Sequence, residues 1–160
     1  MLESDDKVVS QIMCECYRFI AEPDRLTVEQ LDRMLQERCQ PEHMAIMRSR
    51  FDCTVAEVNG KVCGIVALGG NNVAELFVHP AHHRHGIGAM LFRHAQERVK
   101  ASDYTKLTVA TTGYAIPFYE AMGMHTVGRR QVTFGPLEGR DLILLEKKLK
   151  AHDAEEADFR

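Results

Sequence analysis

The sequence predicts an α/β fold: a mixed, mostly antiparallel central sheet flanked by helices on both faces. Three observations predict it. The first 50 residues carry apolar positions at helical spacing, the next 30 read as short strands parted by tight turns, and the remainder alternates between the two patterns. At 160 residues and 45% hydrophobic content the chain suits one domain able to bury its own core. Residues 1–150 read as that domain, and 151–160 as a polar tail.

The elements follow in order. Ser4-Asp5-Asp6 can cap a helix through Val8, Ile12, Cys16 and Ile20. Thr27 caps a second helix from Val28 to Gln36, with Leu31, Met34 and Leu35 inward. Pro41 starts a third, carrying Met44, Ile46 and Met47. Phe51 to Val58 and Val62 to Leu68 are strand-like, and Asn59-Gly60 between them is a hairpin signal, because both turn positions need positive φ. Gly69-Gly70-Asn71-Asn72 turns the chain into a third strand, Val73 to His79, which Pro80 stops. From Gly86 to Lys100 the period is helical, with Ile87, Met90, Leu91, Ala95 and Val99 on one side. Lys106 to Ala110 is a strand. Ala115 to Met122 is a short helix opened by Pro117 and closed by Gly123. Val127 to Phe134 and Asp141 to Leu149 complete the set as strands.

Composition excludes several classes. A net charge of -3 gives no general attraction to nucleic acid or anionic membrane, and no apolar run is long enough to span a bilayer. The start, Met1-Leu2-Glu3-Ser4-Asp5-Asp6, is acidic where a secretion signal is basic. Five cysteines with no Cys-x-x-Cys pair read as reduced thiols, so a cytoplasmic location is expected. Cys53 and Cys63 read as small buried hydrophobes. Cys14 and Cys16 cannot share a helix face, which argues against a metal clip there. A homodimer is allowed by the sequence and not specified by it.

The chemistry is concentrated between Glu75 and Ala89, where a strand, a basic loop and a helix start follow one another. Gly86 and Gly88 lack side chains, so a ligand can approach their backbone. The first N–H groups of the following helix have no partner within it, and with the helix dipole they form an anion site suited to a pyrophosphate. Two nucleotide motifs fail here. A Walker loop needs Lys-Ser/Thr after its last glycine, where this chain has Ala89-Met90, and the dinucleotide fingerprint needs a third glycine where Leu91 stands.

With Val78-His79-Pro80 leading into Gly86-Ile87-Gly88, and Ala115-Ile116-Pro117-Phe118-Tyr119-Glu120-Ala121-Met122-Gly123 further on, the chain resembles the GNAT superfamily of N-acetyltransferases. The first segment matches the family's phosphate loop, Arg/Gln-x-x-Gly-x-Gly/Ala, and the second its Asn-x-x-Ala-x-x-Phe-Tyr-Glu-x-x-Gly-Phe helix. The likeness covers about residues 51 to 149 well and the first 50 in outline. His83 stands where Arg or Gln is usual, Thr112 where Asn is usual and Met124 where Phe is usual, and the family's opening strand is missing or very short. The resemblance implies a bound acetyl-CoA. The backbone of Phe77 and Val78 would pair with its pantetheine arm, and His83, Arg84, His85, Gly86, Ile87, Gly88 and Ala89 would hold its pyrophosphate. Thr112 occupies the position of a contact to the cofactor arm. Tyr119 would lie near the sulfur.

Acetyl transfer needs a neutral amine, and a lysine-like amine with pKa ~10.4 is only about one part in a few thousand neutral at pH 7. Glu75 is the sequence's candidate base and Tyr119 its candidate acid, with His79 and Glu120 as lesser candidates for the base. Tyr17, Phe19 and the helices from Val28 to Arg50 are expected to line the acceptor side. The acceptor reads as a primary amine of a small molecule or peptide. A domain that binds acyl-CoA without turning it over is the alternative. A zinc module built on His79, His82, His83 and His85 is a third reading, but no thiolate lies at zinc spacing, and no metal is assigned.

Overall fold

The computed structural model describes residues 1–150, so the segment read as a polar tail lies outside the described residues. After a 3₁₀ turn over Glu3–Asp5, helix α1 spans Asp6–Ala21 and buries Val9, Ile12, Met13, Cys16 and Tyr17. The Asp5 carboxylate accepts from the Leu2 amide at 2.7 Å, so α1 starts where expected but without a side-chain cap. Helix α2, Val28–Arg38, has a reciprocal cap between Thr27 and Gln30, a device worth about 1 kcal/mol. It runs past Gln36, which brings Arg38 to the sheet. Helix α3, Pro41–Arg50, buries Met44 and Met47, while Ile46, between them on the opposite side, is exposed.

Strands β1, Asp52–Val58, and β2, Lys61–Gly69, form the expected hairpin, with Asn59 and Gly60 at φ 51° and 73°. Then come β3, Asn72–Val78, α4, Ile87–Ala101, and β4, Lys106–Thr111. A 3₁₀ turn over Gly113–Ala115 leads into α5, Ile116–Ala121, and the chain returns through β5, His125–Gln131, and β6, Asp141–Lys148. Strand β5 ends before Phe134, which is exposed in the following loop.

The sheet order is β1-β2-β3-β4-β6-β5, antiparallel throughout except between β3 and β4. Two cores lie on its two faces. Phe92, Leu91, Ala95 and Val99 of α4 pack on Val66, Val73, Leu107 and Val109. On the other face Val9, Met13 and Tyr17 of α1, with Met34, Met44 and Met47, pack on Ile65 and Ala67. Covered on both sides, β2 reads as a nearly unbroken apolar run from Val62 to Leu68 rather than as an alternation.

Candidate active site

The site begins with a failure of strand pairing. The parallel β3–β4 ladder consists of two residue pairs, Asn72 with Thr108 and Val73 with Val109. On its other edge β3 pairs with β2 through Val73 and Glu75, so Ala74 is an extra residue, a bulge. A bulge bends its strand, and beyond it β3 and β4 separate. The opening is a cleft of roughly 1040 Å³, lined along β3 by Ala74 to Val78 and along β4 by Val109 to Thr111. That volume, at the upper end for ligand sites, suits a long ligand with a second molecule beside it.

Strand pairing also decides which backbone groups face the cleft. The His79 amide donates to the Cys63 carbonyl at 2.8 Å, and alternate residues of an antiparallel pair share this orientation, so Phe77 and Glu75 also turn their polar groups toward β2. Leu76 and Val78 turn theirs toward the cleft. The expectation that Phe77 and Val78 both pair with a ligand is therefore corrected: Phe77 is committed to Ile65, and Leu76 takes its place. The Val78 carbonyl already receives two donors, the Cys16 thiol at 3.2 Å and His83 Nε2 at 2.7 Å. A carbonyl has no proton to give, so His83 Nε2 carries it. His83 thus turns Nε2 back onto the strand while still lining the cleft.

The loop then rises to α4. Arg84 and Gly86 have φ of 64° and 79°, in the left-handed region that glycine enters without cost. Gly86 is the N-cap of α4, no side chain caps it, and no acidic residue lies in the first turn. Since Met90 N bonds back to Gly86 O, the free amides of this helix start belong to Ile87, Gly88 and Ala89. Arg84, Gly86, Ile87, Gly88 and Ala89 all line the cleft, whereas His85 does not. The two glycines serve different needs. A Cβ on Gly86 would meet nothing within 4 Å, so its φ is what requires glycine; a Cβ on Gly88 would lie 3.2 Å from the Phe118 ring, so there close packing of α5 requires it.

Acid and base candidates meet across the opening. Glu75 is largely withdrawn from solvent, and its carboxylate lies 3.7 Å from Arg38 Nη1. Burial raises its pKa from 4.5 to about 7, against the opposing pull of Arg38. Tyr119 is buried against Phe92 and Phe118 and lines the cleft; burial, and then the charge of Glu75, push its pKa well above that of a free phenol. Tyr119 therefore stays protonated and can act as a donor. Tyr17, buried beneath Phe77 at a ring separation of 5.3 Å, has a hydroxyl with no hydrogen-bond partner and has Glu75 and Arg38 as charged neighbours.

The raised pKa of Glu75 has a measurable consequence. Between its ordinary pKa and about 7, the folded chain keeps a proton that the unfolded chain has released. Its contribution to stability therefore falls as pH rises through that window, by about 3 kcal/mol at most. Urea denaturation at pH 5 and pH 8 should show wild type losing stability relative to Glu75→Gln as pH rises. Parallel profiles would show that the carboxyl is not buried as described.

Thr112 is held elsewhere. Its hydroxyl donates to Asp24 Oδ2, while the Tyr114 amide donates to Asp24 Oδ1 at 2.7 Å. Asp24 itself is buried, and Arg140 donates to its carbonyl. The Thr112 hydroxyl proton thus anchors the β4–α5 loop to the α1–α2 turn, while Thr112 stays on the cleft wall. Asp24 and Arg38 were not found from sequence. Asp24-Arg25 reads there as an ordinary polar turn, and Arg38 lies beyond the expected end of its helix. Phe19 makes edge contacts with His83 and Tyr114, at 5.0 and 5.7 Å, and so spans the two walls. Among the described residues no group of three or more His, Cys, Asp or Glu is placed to hold a metal ion. No described helix is long and apolar enough to cross a membrane.

A sheet opened between two parallel neighbours, with uncapped helix amides at one end of the opening, defines an α/β protein built to take an extended anionic ligand edge-on. The chain belongs to the GNAT acetyltransferase family: residues 21–136 match the Acetyltransferase (GNAT) domain. Solved structures share the fold. A GCN5-related N-acetyltransferase from Rhodopseudomonas palustris superposes with a TM-score of 0.85 at 21% identity, covering 93% of this chain and 92% of that one. The PaiA N-acetyltransferase of Thermoplasma acidophilum, solved with coenzyme A, gives 0.74 at 14% identity, covering 93% and 96%. A GNAT family acetyltransferase from Elizabethkingia anophelis, solved with acetyl-CoA, gives 0.57 at 20% identity, covering 74% and 89%.

Proposed function

We propose that this protein transfers the acetyl group of acetyl-CoA to a primary amine, by direct attack with both substrates bound. The observation that carries the reading is the splayed β3 edge leading to the free amides of α4. The fit is chemical. The outward amide and carbonyl of Leu76 and the outward amide of Val78 suit the amides of a pantetheine arm, and the amides of Ile87, Gly88 and Ala89, with Arg84 beside them, suit a pyrophosphate. When bound, acetyl-CoA supplies an activated carbonyl and a sulfur able to leave as thiolate.

The chain's own groups do the rest. An outward amide of β3 donates to the acetyl oxygen as negative charge grows there. Glu75, whose pKa burial raises to about 7, takes the proton that the acceptor ammonium must lose. Tyr119, kept protonated by burial, returns a proton to the departing sulfur. One C–N bond forms and one C–S bond breaks. The nitrogen gives up two protons, the first to Glu75 before attack and the second to water as the thiolate leaves. Tyr119 regains from solvent the proton it gave the sulfur, and Glu75 releases its proton to solvent. An acid and a base facing one opening favour turnover over a domain that only binds the thioester.

The test is to titrate acetyl-CoA by calorimetry and then follow coenzyme A release, by chromatography, over a panel of amines. Binding followed by amine-dependent release supports the reading. Binding with no release in any amine would favour the binding-only domain, and no binding would remove both.

A further inference from the structure

The acceptor side of the cleft carries its own information about the amine. Among the described residues two carboxylates, Asp24 and Glu75, line the cleft. Both oxygens of Asp24 are already engaged, by Thr112 and by the Tyr114 amide. Of these two, Glu75 is therefore the carboxylate left open to a substrate. Two arginines line the same side: Arg38 from α2 and Arg130 from β5. Arg130 is exposed and forms no ion pair among the described residues. Around them the wall is apolar, formed by Phe19, Leu26, Met34, Leu137 and Leu142.

This balance disfavours a polycation. A polyamine or an amino-sugar would gain Glu75 and then meet two arginines with no carboxylate left to offset them. A simple alkylamine would satisfy Glu75 and leave Arg38 without a partner of its own. The Glu75–Arg38 contact at 3.7 Å is longer than a hydrogen bond, and Arg38 stays partly open to the cleft, with donors to spare. Beside it the Tyr17 hydroxyl is buried with no hydrogen-bond partner, so a carboxylate reaching this corner would meet the donors of both Arg38 and Tyr17.

Building on the acetyltransferase reading, we propose that the acceptor is an α-amino acid with an apolar side chain, its amine at Glu75 and its carboxylate on Arg38. An α-amino acid carries opposite charges on adjacent groups, and Glu75 and Arg38 present the opposite charges side by side. The carboxylate brings an acceptor to the Arg38–Tyr17 corner, Arg130 attracts it at the mouth, and the apolar wall takes the side chain. The reaction joins the acetyl carbon to the α-nitrogen and frees coenzyme A as its thiol.

The experiment compares kcat/KM for leucine, leucinamide, 3-methylbutylamine and spermidine with the intact protein and acetyl-CoA. Leucine should exceed each of the others by roughly 10- to 150-fold, the worth of a hydrogen-bonded charge. Leucinamide has the less basic amine and is more neutral at pH 7, so intrinsic reactivity works against this order. Arg38→Gln should bring leucine down to the level of leucinamide, and Arg38→Lys should recover part of the difference, since it keeps the charge but not the planar fork. Leucinamide, the alkylamine or spermidine matching leucine with wild type would overturn the carboxylate site and leave acetyl transfer standing. No acetylation of any of the four, with release on another amine of the panel, would overturn the amino-acid acceptor alone, and no release across the whole panel by protein that binds acetyl-CoA would overturn both.

Discussion

Ala89→Glu should weaken coenzyme A binding by at least roughly 30-fold while leaving the thermal midpoint unchanged or slightly raised. Ala89 is the third residue of α4, in the turn whose amides have no partner, and it lines the cleft. A carboxylate there satisfies the helix start and complements its dipole, so the helix gains a few tenths to about 1 kcal/mol. The same carboxylate occupies the anion site and repels a diphosphate. Stability and affinity therefore move in opposite directions, which separates a lost site from a damaged fold. Calorimetry with coenzyme A and a melting curve, on the same preparation, check both. Affinity equal to wild type would mean that the pyrophosphate rests somewhere other than on the Ile87–Ala89 amides.

The second large effect is expected at Tyr119. Tyr119→Phe keeps the ring packed against Phe92 and Phe118 and removes only the hydroxyl. Loss of a positioned acid costs about 10²- to 10⁴-fold in turnover, and coenzyme A affinity should stay within about threefold, because the ring and the helix amides are untouched. Loss of both in proportion would instead assign Tyr119 a binding role. Unchanged turnover would take it out of the chemistry and point to water as the proton source.

The reach of the sequence differed between the two halves of the cleft. Strand, loop and helix from Glu75 to Ala89 were legible because each signal is local: β-rich residues, a proline stop, two glycines, then a change of period. Glu75 and Tyr119 were named from local pattern and family likeness, and the structure brings them to one opening. What the sequence left open shares a cause as well. The resemblance points to the backbone of Phe77 as a ligand partner, but which edge of a strand its amides serve is decided by pairing with β2, which no local pattern shows. The partners of His83 and Thr112, Val78 O and Asp24, are likewise fixed by contacts that no local pattern encodes. Arg38 was missed because helix ends are the weakest feature of any periodicity.

By itself the sequence determined the order of helices and strands, the Asn59-Gly60 hairpin, and the helix start whose glycines keep side chains away from free amides. These are short-range consequences of backbone sterics and of unpaired helix ends. Only the tertiary structure decided that β3 parts from β4 after two residue pairs, that Glu75 lies against Arg38 with Tyr17 as a neighbour of both, and that Asp24 ties the α1–α2 turn to the loop before α5. Each of these brings together residues far apart in the chain. Their burial, pairing and charge are properties of the packed interior, where desolvation raises the pKa of a carboxyl and strand pairing determines which amides are free.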